Sequence, residues 1–158
     1  MKFSARGARN SFFELKDVGD ASLGKLDYTS WFSIKAEILL PSGKIYTLNP
    51  QGAFHTSVSV LDGMKRIASL KFNWKGQIII ELENGGSYAF KRVGFFNYHY
   101  GVFSEHEHET AIVHQQFKIA EFSFSYQIET DDNYPEMGQP EFLLLLIYCC
   151  NYLHSRET

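Results

Sequence analysis

Phe142-Leu143-Leu144-Leu145-Leu146-Ile147-Tyr148-Cys149-Cys150 is the stretch on which the fold of this chain turns. Wound into a helix it is apolar on every face, whereas a surface helix shows one apolar stripe and a polar back. Such a helix must be surrounded, by protein or by lipid. Crossing a bilayer core takes about 20 apolar residues, and runs of 10 to 14 are usual for buried helices. Counted generously to Leu153, the run has twelve residues and already includes Asn151, so it is too short to span. Its ends are those of a helix inside a protein. Pro140 suits a first turn, Glu141 sits near the positive end of the helix dipole, and His154 and Arg156 near the negative end. The predicted helix covers about 140–154, fifteen residues or roughly 22 Å.

Outward from that helix, the rest of the chain reads as short strands. Phe32, Ile34, Ala36, Ile38 and Leu40 alternate with Ser33, Lys35 and Glu37, the period of a half-buried strand. After the turn Pro41-Ser42-Gly43-Lys44, further strands are expected at Ile45–Leu48, Phe54–Val60, Ile67–Phe72, Gln77–Leu82, Ser87–Lys91, Phe95–Phe103, Ala111–Phe117 and Phe122–Ile128. Asn84-Gly85 between two such runs is a strong hairpin signal, because both residues tolerate positive φ. No helical period precedes residue 139. A barrel of more than about eight strands leaves a lumen that strand side chains alone do not fill. The fold class is therefore mainly β, a closed antiparallel barrel of about ten to twelve strands around a central hydrophobic C-terminal helix.

Composition bounds the rest. At 158 residues the chain is expected to form one domain over 1–158, with a single core. Fourteen Phe and nine Tyr favour β structure, and Trp31, Trp74 and the Phe residues are expected in core and rim packing. A net charge of −3 gives no pull toward nucleic acid. The two cysteines, Cys149 and Cys150, adjoin each other on the helix, where a mutual disulfide is geometrically poor. With free thiols and no apolar leader in Met1–Gly7, a cytoplasmic protein is expected, without a transmembrane span.

A meander of short strands closed by a solitary greasy helix resembles the tubby-like superfold of the tubby C-terminal domain, the LURP-one-related proteins and the phospholipid scramblases. The resemblance runs from about Phe12 to Leu153 and rests on the helix and on strand-turn units such as Gly76–Phe90. It implies a twelve-stranded barrel wrapped around a buried helix. A calycin-type barrel packs its terminal helix outside, where it would be amphipathic, and this one is not. Tubby domains bind phosphoinositide headgroups through surface basic residues and scramblases act at membranes with calcium, so the resemblance implies anionic-lipid or scaffold roles rather than catalysis.

Two constellations of this chain's own residues bear on function. Lys65, Arg66, Lys71, Lys75, Lys91 and Arg92 face only Glu81 and Glu83 between residues 65 and 92, an excess of four positive charges. If they converge, they attract an anionic headgroup or an acidic protein partner. Residues 105–141 are the opposite, with nine carboxylates against Lys118. The second constellation is His99, His106, His108 and His114, the alternative reading as a metal-binding protein or metal-dependent enzyme. In an extended Glu105–Glu109, His106 and His108 would share a face, as two metal ligands require. No cofactor is implied, and an enzyme is not expected: Gly-x-Ser-x-Gly elbow, phosphate loop and dinucleotide fingerprint are all missing from the sequence. Asn151, Tyr148 and Tyr152 are the polar positions of the helix and are expected to find hydrogen-bond partners at the barrel mouth. A homodimer through an exposed strand edge is expected only if the barrel fails to close.

Overall fold

The computed structural model describes residues 1–8, 11–29, 34–52, 54–118, 120 and 122–157. Trp31, and Phe32 and Ser33 at the start of the strand expected from 32 to 40, lie outside these, as does Glu121. Twelve strands are described: β1 (Lys2–Gly7), β2 (Phe12–Asp17), β3 (Ser22–Tyr28), β4 (Ala36–Leu39), β5 (Ile45–Gln51), β6 (Ser57–Asp62), β7 (Lys65–Phe72), β8 (Ile78–Leu82), β9 (Ser87–Val93), β10 (His99–Phe103), β11 (Glu109–Lys118) and β12 (Ser123–Thr130). Each pairs antiparallel with its sequence neighbours, and β1 pairs with β12 from Lys2↔Glu129 to Gly7↔Phe124, closing the barrel. Closure leaves no exposed strand edge for a partner copy, so the conditional edge-to-edge homodimer has no foothold.

Alternation builds the interior. Phe13 and Leu15, Ile38, Leu48, Ile80, Phe90, Tyr126 and Ile128 point inward and are 0 to 1 % exposed. The intervening positions carry Glu14, Lys16, Lys25, Asp27 and Glu37 on the outside. This is apolar inside and polar outside, the reverse of a membrane-spanning barrel. β1, β2 and β3 precede every strand named from the sequence. Their inward pairs, Phe3 with Ala5 and Phe13 with Leu15, are short, and in β3 one of the inward positions is Gly24.

The lumen is filled by α1 (Pro140–Glu157), three residues longer than expected at its C-terminus. Every residue from Phe142 to Cys150 is buried, and seven of them, Leu143, Leu144, Leu146, Ile147, Tyr148, Cys149 and Cys150, are at most 1 % exposed. No described helix is long and apolar enough to cross a membrane. A 3₁₀ turn, Pro135–Gly138, leads into α1, and the Leu143 amide donates to the Gln139 carbonyl at 3.0 Å to start it. The helix comes nearest to the wall at β3. A Cβ on Gly24 (φ 148°) would stand 3.0 Å from Leu144 Cδ1 and 2.9 Å from the Leu39 carbonyl oxygen, so only glycine admits the helix there.

Five of the hairpins share one turn design. In Leu82–Gly86 the Gly85 amide donates to the Leu82 carbonyl and the Leu82 amide to the Gly86 carbonyl, with Gly85 at φ 92°. Asn84 keeps a negative φ, and its side chain accepts from the Gly86 amide instead. The Asn-Gly pair therefore makes a type I turn with a bulge at Gly85, not the two-residue mirror-image turn that residues both at positive φ would form. The same paired bonds recur at 17–21, 40–44, 73–77 and 104–108, with Asp20, Gly43, Gly76 and Glu107 at positive φ.

Several expected strands begin too early. Phe54, Phe95, Phe96 and Phe122, taken as strand residues, lie in connections and are 75 to 92 % exposed, as is Trp74 at 90 %. The expected packing of these rings into core or rim is corrected accordingly. The alternation was read through turn residues whose tips stand clear of the lumen.

Candidate functional site

The meander sorts the connections onto two ends. At the end where α1 begins lie the turns 17–21, 41–44, 63–64, 83–86 and 104–108 and the segment 131–139. At the end where α1 finishes lie the connections between β1 and β2, β3 and β4, β5 and β6, β7 and β8, β9 and β10, and β11 and β12.

This partition divides the six cations predicted to converge. Lys65 and Arg66 begin β7 at the helix-start end, whereas Lys71 ends it, some six residues and about 20 Å away at 3.3 Å per residue. Lys75 is in the following turn, and Arg92 is next to the last residue of β9, also toward the helix-finish end. The first two are locally neutralised: Lys65 pairs with Glu83 at 3.0 Å, and Arg66 shares a shallow cleft with Glu81 and Glu83. Lys71 pairs with Glu81 at 3.5 Å, with both side chains about half exposed, which at a surface is worth no more than about 1 kcal/mol. The others lie over rings: Lys75 on Trp74, Lys91 on Phe103 at 4.5 Å and Arg92 on Tyr98 at 4.7 Å. Aromatic faces hold a cation without cancelling its charge; Lys75, Arg92 and the Glu81-paired Lys71 lie toward the helix-finish end, whereas Lys91 pairs with Gly101 in the middle of β10 and turns its ammonium back over Phe103.

Three of the four histidines fall into two separate contacts rather than one site, and His106 stands exposed in the turn between β10 and β11. His99 Nε2 lies 3.0 Å from Glu109 Oε2, and its ring centroid is 5.6 Å from that of His114. At the hairpin tip, His108 Nε2 lies 2.8 Å from Asp131 Oδ2, and its ring stacks on Tyr134 at 5.5 Å. The hydrogen bond from His108 pulls the Asp131 carboxyl below its ordinary value, helped by the Asn133 amide. Glu105–Glu109 is not extended as expected: the Glu107 amide donates to the Ser104 carbonyl, Glu107 takes φ 60°, and the chain reverses between His106 and His108. Among the described residues, no group of three His, Cys, Asp or Glu could hold a metal ion.

The polar residues of α1 find the partners expected of them. The Tyr126 hydroxyl donates to Asn151 Oδ1, and Asn151 Nδ2 donates to the Tyr28 hydroxyl at 3.0 Å. Tyr148 donates to the Ile34 carbonyl at 2.8 Å and Tyr152 to the His55 carbonyl at 2.6 Å. Burial raises the ionisation of Tyr126 and Tyr148 well above that of a free phenol, keeping both as neutral donors. Burial does the same to the free thiols of Cys149 and Cys150, leaving them in the inert protonated form.

With the lumen occupied, the clefts that remain lie at the rim and on the outer wall, where a polar one of about 520 Å³ runs over β1, β2, β11 and β12. At the helix-start end an apolar cleft of about 190 Å³ is lined by Ile38, Tyr46, Val60, Leu82, Phe142 and Leu145 and edged by Glu136 and Glu141. There the Tyr88 hydroxyl donates to Glu136, and burial together with that carboxylate raises its ionisation.

No protein-family model matches this sequence, and no curated protein does. Among solved structures, the barrel is similar to the crystal structure of a protein from Arabidopsis thaliana, with a TM-score of 0.56 over 92 % of this chain and 88 % of that one, at 16 % identity. At that identity the two share a fold.

Proposed function

We propose that this chain is a non-enzymatic binding domain of the tubby-like and LURP-one-related type, which reads anionic phospholipid headgroups, phosphoinositides among them, from the cytoplasmic side. The closed twelve-strand barrel around a central helix supports the architectural part of this reading. The observation that carries the functional part is the separation of charge between the two barrel ends. The turns at the helix-start end, 17–21, 41–44, 62–65, 83–86, 104–108 and 131–141, hold ten carboxylates and only Lys44 and Lys65. Lys71, Lys75 and Arg92 lie toward the other end, where Asp27 on β3 and Glu37 on β4 are the described strand-end carboxylates, so a negatively charged surface meets more attraction there than at the helix-start end.

Cosedimentation of the intact protein with phosphatidylcholine vesicles, with and without phosphoinositide, at low and moderate salt, tests this reading. Headgroup-dependent, salt-sensitive binding is expected. Since each cation near an anionic surface contributes about 1 kcal/mol, K71E/K75E should weaken it by about tenfold or more. Indifference to phosphoinositide at low salt sinks the proposal. Binding at K65E unchanged from wild type would match the placement of Lys65 at the far end.

A further inference from the structure

Among the described residues, five large aromatic side chains stand in solvent: Phe54 at 79 %, Trp74 at 90 %, Phe95 at 78 %, Phe96 at 92 % and Phe122 at 75 % exposed. All five sit on the same end of the barrel, one connection after another: β5 to β6, β7 to β8, β9 to β10 and β11 to β12. Phe12 and Phe117, about half exposed, flank them where β2 begins and where β11 nears its end. The exposed large apolar residues described at the opposite end, Met1, Val18, Ile45 and Met64, include no ring. Neighbouring hairpins are two strands apart, about 10 Å around the rim at 4.8 Å per strand, so the rings form a spaced crown and not a groove.

Charge follows the same division. The described residues of these connections carry Lys35 and Lys75, with Arg156 at the end of α1. Lys71 and Arg92 lie just behind the ring tips, each next to the last residue of its strand. The crown is held in place: Arg156 Nη2 donates to the Phe54 carbonyl at 2.6 Å, and the Tyr152 hydroxyl donates to the His55 carbonyl. The rings of Phe95 and Phe96 meet edge to face at 5.0 Å. Exposed apolar groups rimmed by polar ones mark interaction sites. Rings on separate hairpin tips at one end, with cations behind them, match an extended surface that is apolar within and negative at its face. Tryptophan and phenylalanine favour the bilayer interface for that reason.

We propose that the helix-finish end of the barrel inserts into the interface of an anionic bilayer, with Trp74, Phe95, Phe96, Phe54 and Phe122 entering the headgroup and upper acyl region while Lys71, Lys75 and Arg92 meet lipid phosphates. The electrostatic half rests on the headgroup reading above; the insertion of the rings does not.

Trp74 reports on it directly. In the Trp31→Phe variant it is the sole tryptophan, and its emission should shift to the blue on adding vesicles of phosphatidylcholine with phosphatidylserine, and be quenched by brominated acyl chains. F95S/F96S, changing two solvent-exposed side chains, should keep the wild-type melting temperature and lose about tenfold or more in vesicle partitioning, given the apolar transfer energy of two rings. Vesicle binding without any Trp74 response, or unaffected by F95S/F96S, overturns insertion while the headgroup reading survives. Equal insertion into pure phosphatidylcholine sustains insertion and removes the headgroup reading, and no binding to either vesicle removes both. Self-association of the lipid-free protein that F95S/F96S abolishes, with no response to vesicles, would assign the crown to a second copy and overturn the proposal.

Discussion

Arg156, in the last turn of the central helix, donates from Nη2 to the main-chain carbonyl of Phe54 at 2.6 Å, across 102 residues of sequence. The same guanidinium donates to the Tyr152 hydroxyl at 2.9 Å and lies over the rings of Phe72 and Tyr152. The helix that fills the lumen thus also fixes one of the loops that carry the exposed rings.

Arg156→Ala should release that loop. A hydrogen bond to a charged group contributes about 1.5–3 kcal/mol, and partial exposure here puts the expected loss at the lower end. Amide exchange at 54–56 should accelerate while the strands keep their protection. Unchanged exchange in that loop would show that Tyr152 alone suffices to hold it.

Removal of the chain from Gly138 onward should abolish folding, since it would empty the lumen of every residue from Phe142 to Leu153. A milder version is Leu144→Ala, expected to cost about 2–5 kcal/mol through the cavity it leaves. Gly24→Val attacks the same contact from the wall side and adds backbone strain at φ 148°. A folded, monomeric protein lacking the helix would contradict a central position for it.

Cys149 and Cys150 should ignore a thiol reagent such as DTNB in the native protein and react fully once guanidinium unfolds it, because both are 0 % exposed and burial holds them protonated. The rate of labelling under native conditions then reads global opening. Rapid labelling of either thiol without unfolding would refute a sealed interior.

The His108–Asp131 contact makes a pH prediction. Asp131 titrates below its ordinary value of 3.8 in the folded state. Its contribution to stability is therefore complete above the unfolded pKa and is lost as pH falls through the folded one. Wild type should lose stability faster than Asp131→Asn as pH falls below about 4, measured by denaturant unfolding at a series of pH values. Parallel curves for the two proteins would remove the contact from the acid response.

The all-apolar run Phe142–Cys150 sufficed to place the helix, because a segment with no polar face has no stable position except inside. Its strength made the barrel legible although β1 to β3 were not individually named: a buried helix needs a complete wall, whatever the pattern of each strand. The hairpin glycines were legible as turns, and the design at Gly85 was not, since Asn84 either takes positive φ or accepts from an amide, and only the backbone around it selects between them.

Site residues were less legible, for a geometric reason. Nearness in sequence joined Lys65 and Arg66 to Lys71, but along one strand that interval is the height of the barrel. His106 and His108 looked like one face until the Ser104–His108 turn reversed the chain between them. Phe54, Trp74, Phe95, Phe96 and Phe122 are scattered over 69 positions and continue the apolar alternation of their neighbours, so locally they resemble core. Sequence alone determined that the helix had to be buried and that strands had to enclose it, because both follow from local hydrophobic pattern. Which charges and which rings share an end was decided only by the tertiary structure, because a closed meander sends alternate connections to opposite ends and brings together residues that are far apart along the chain.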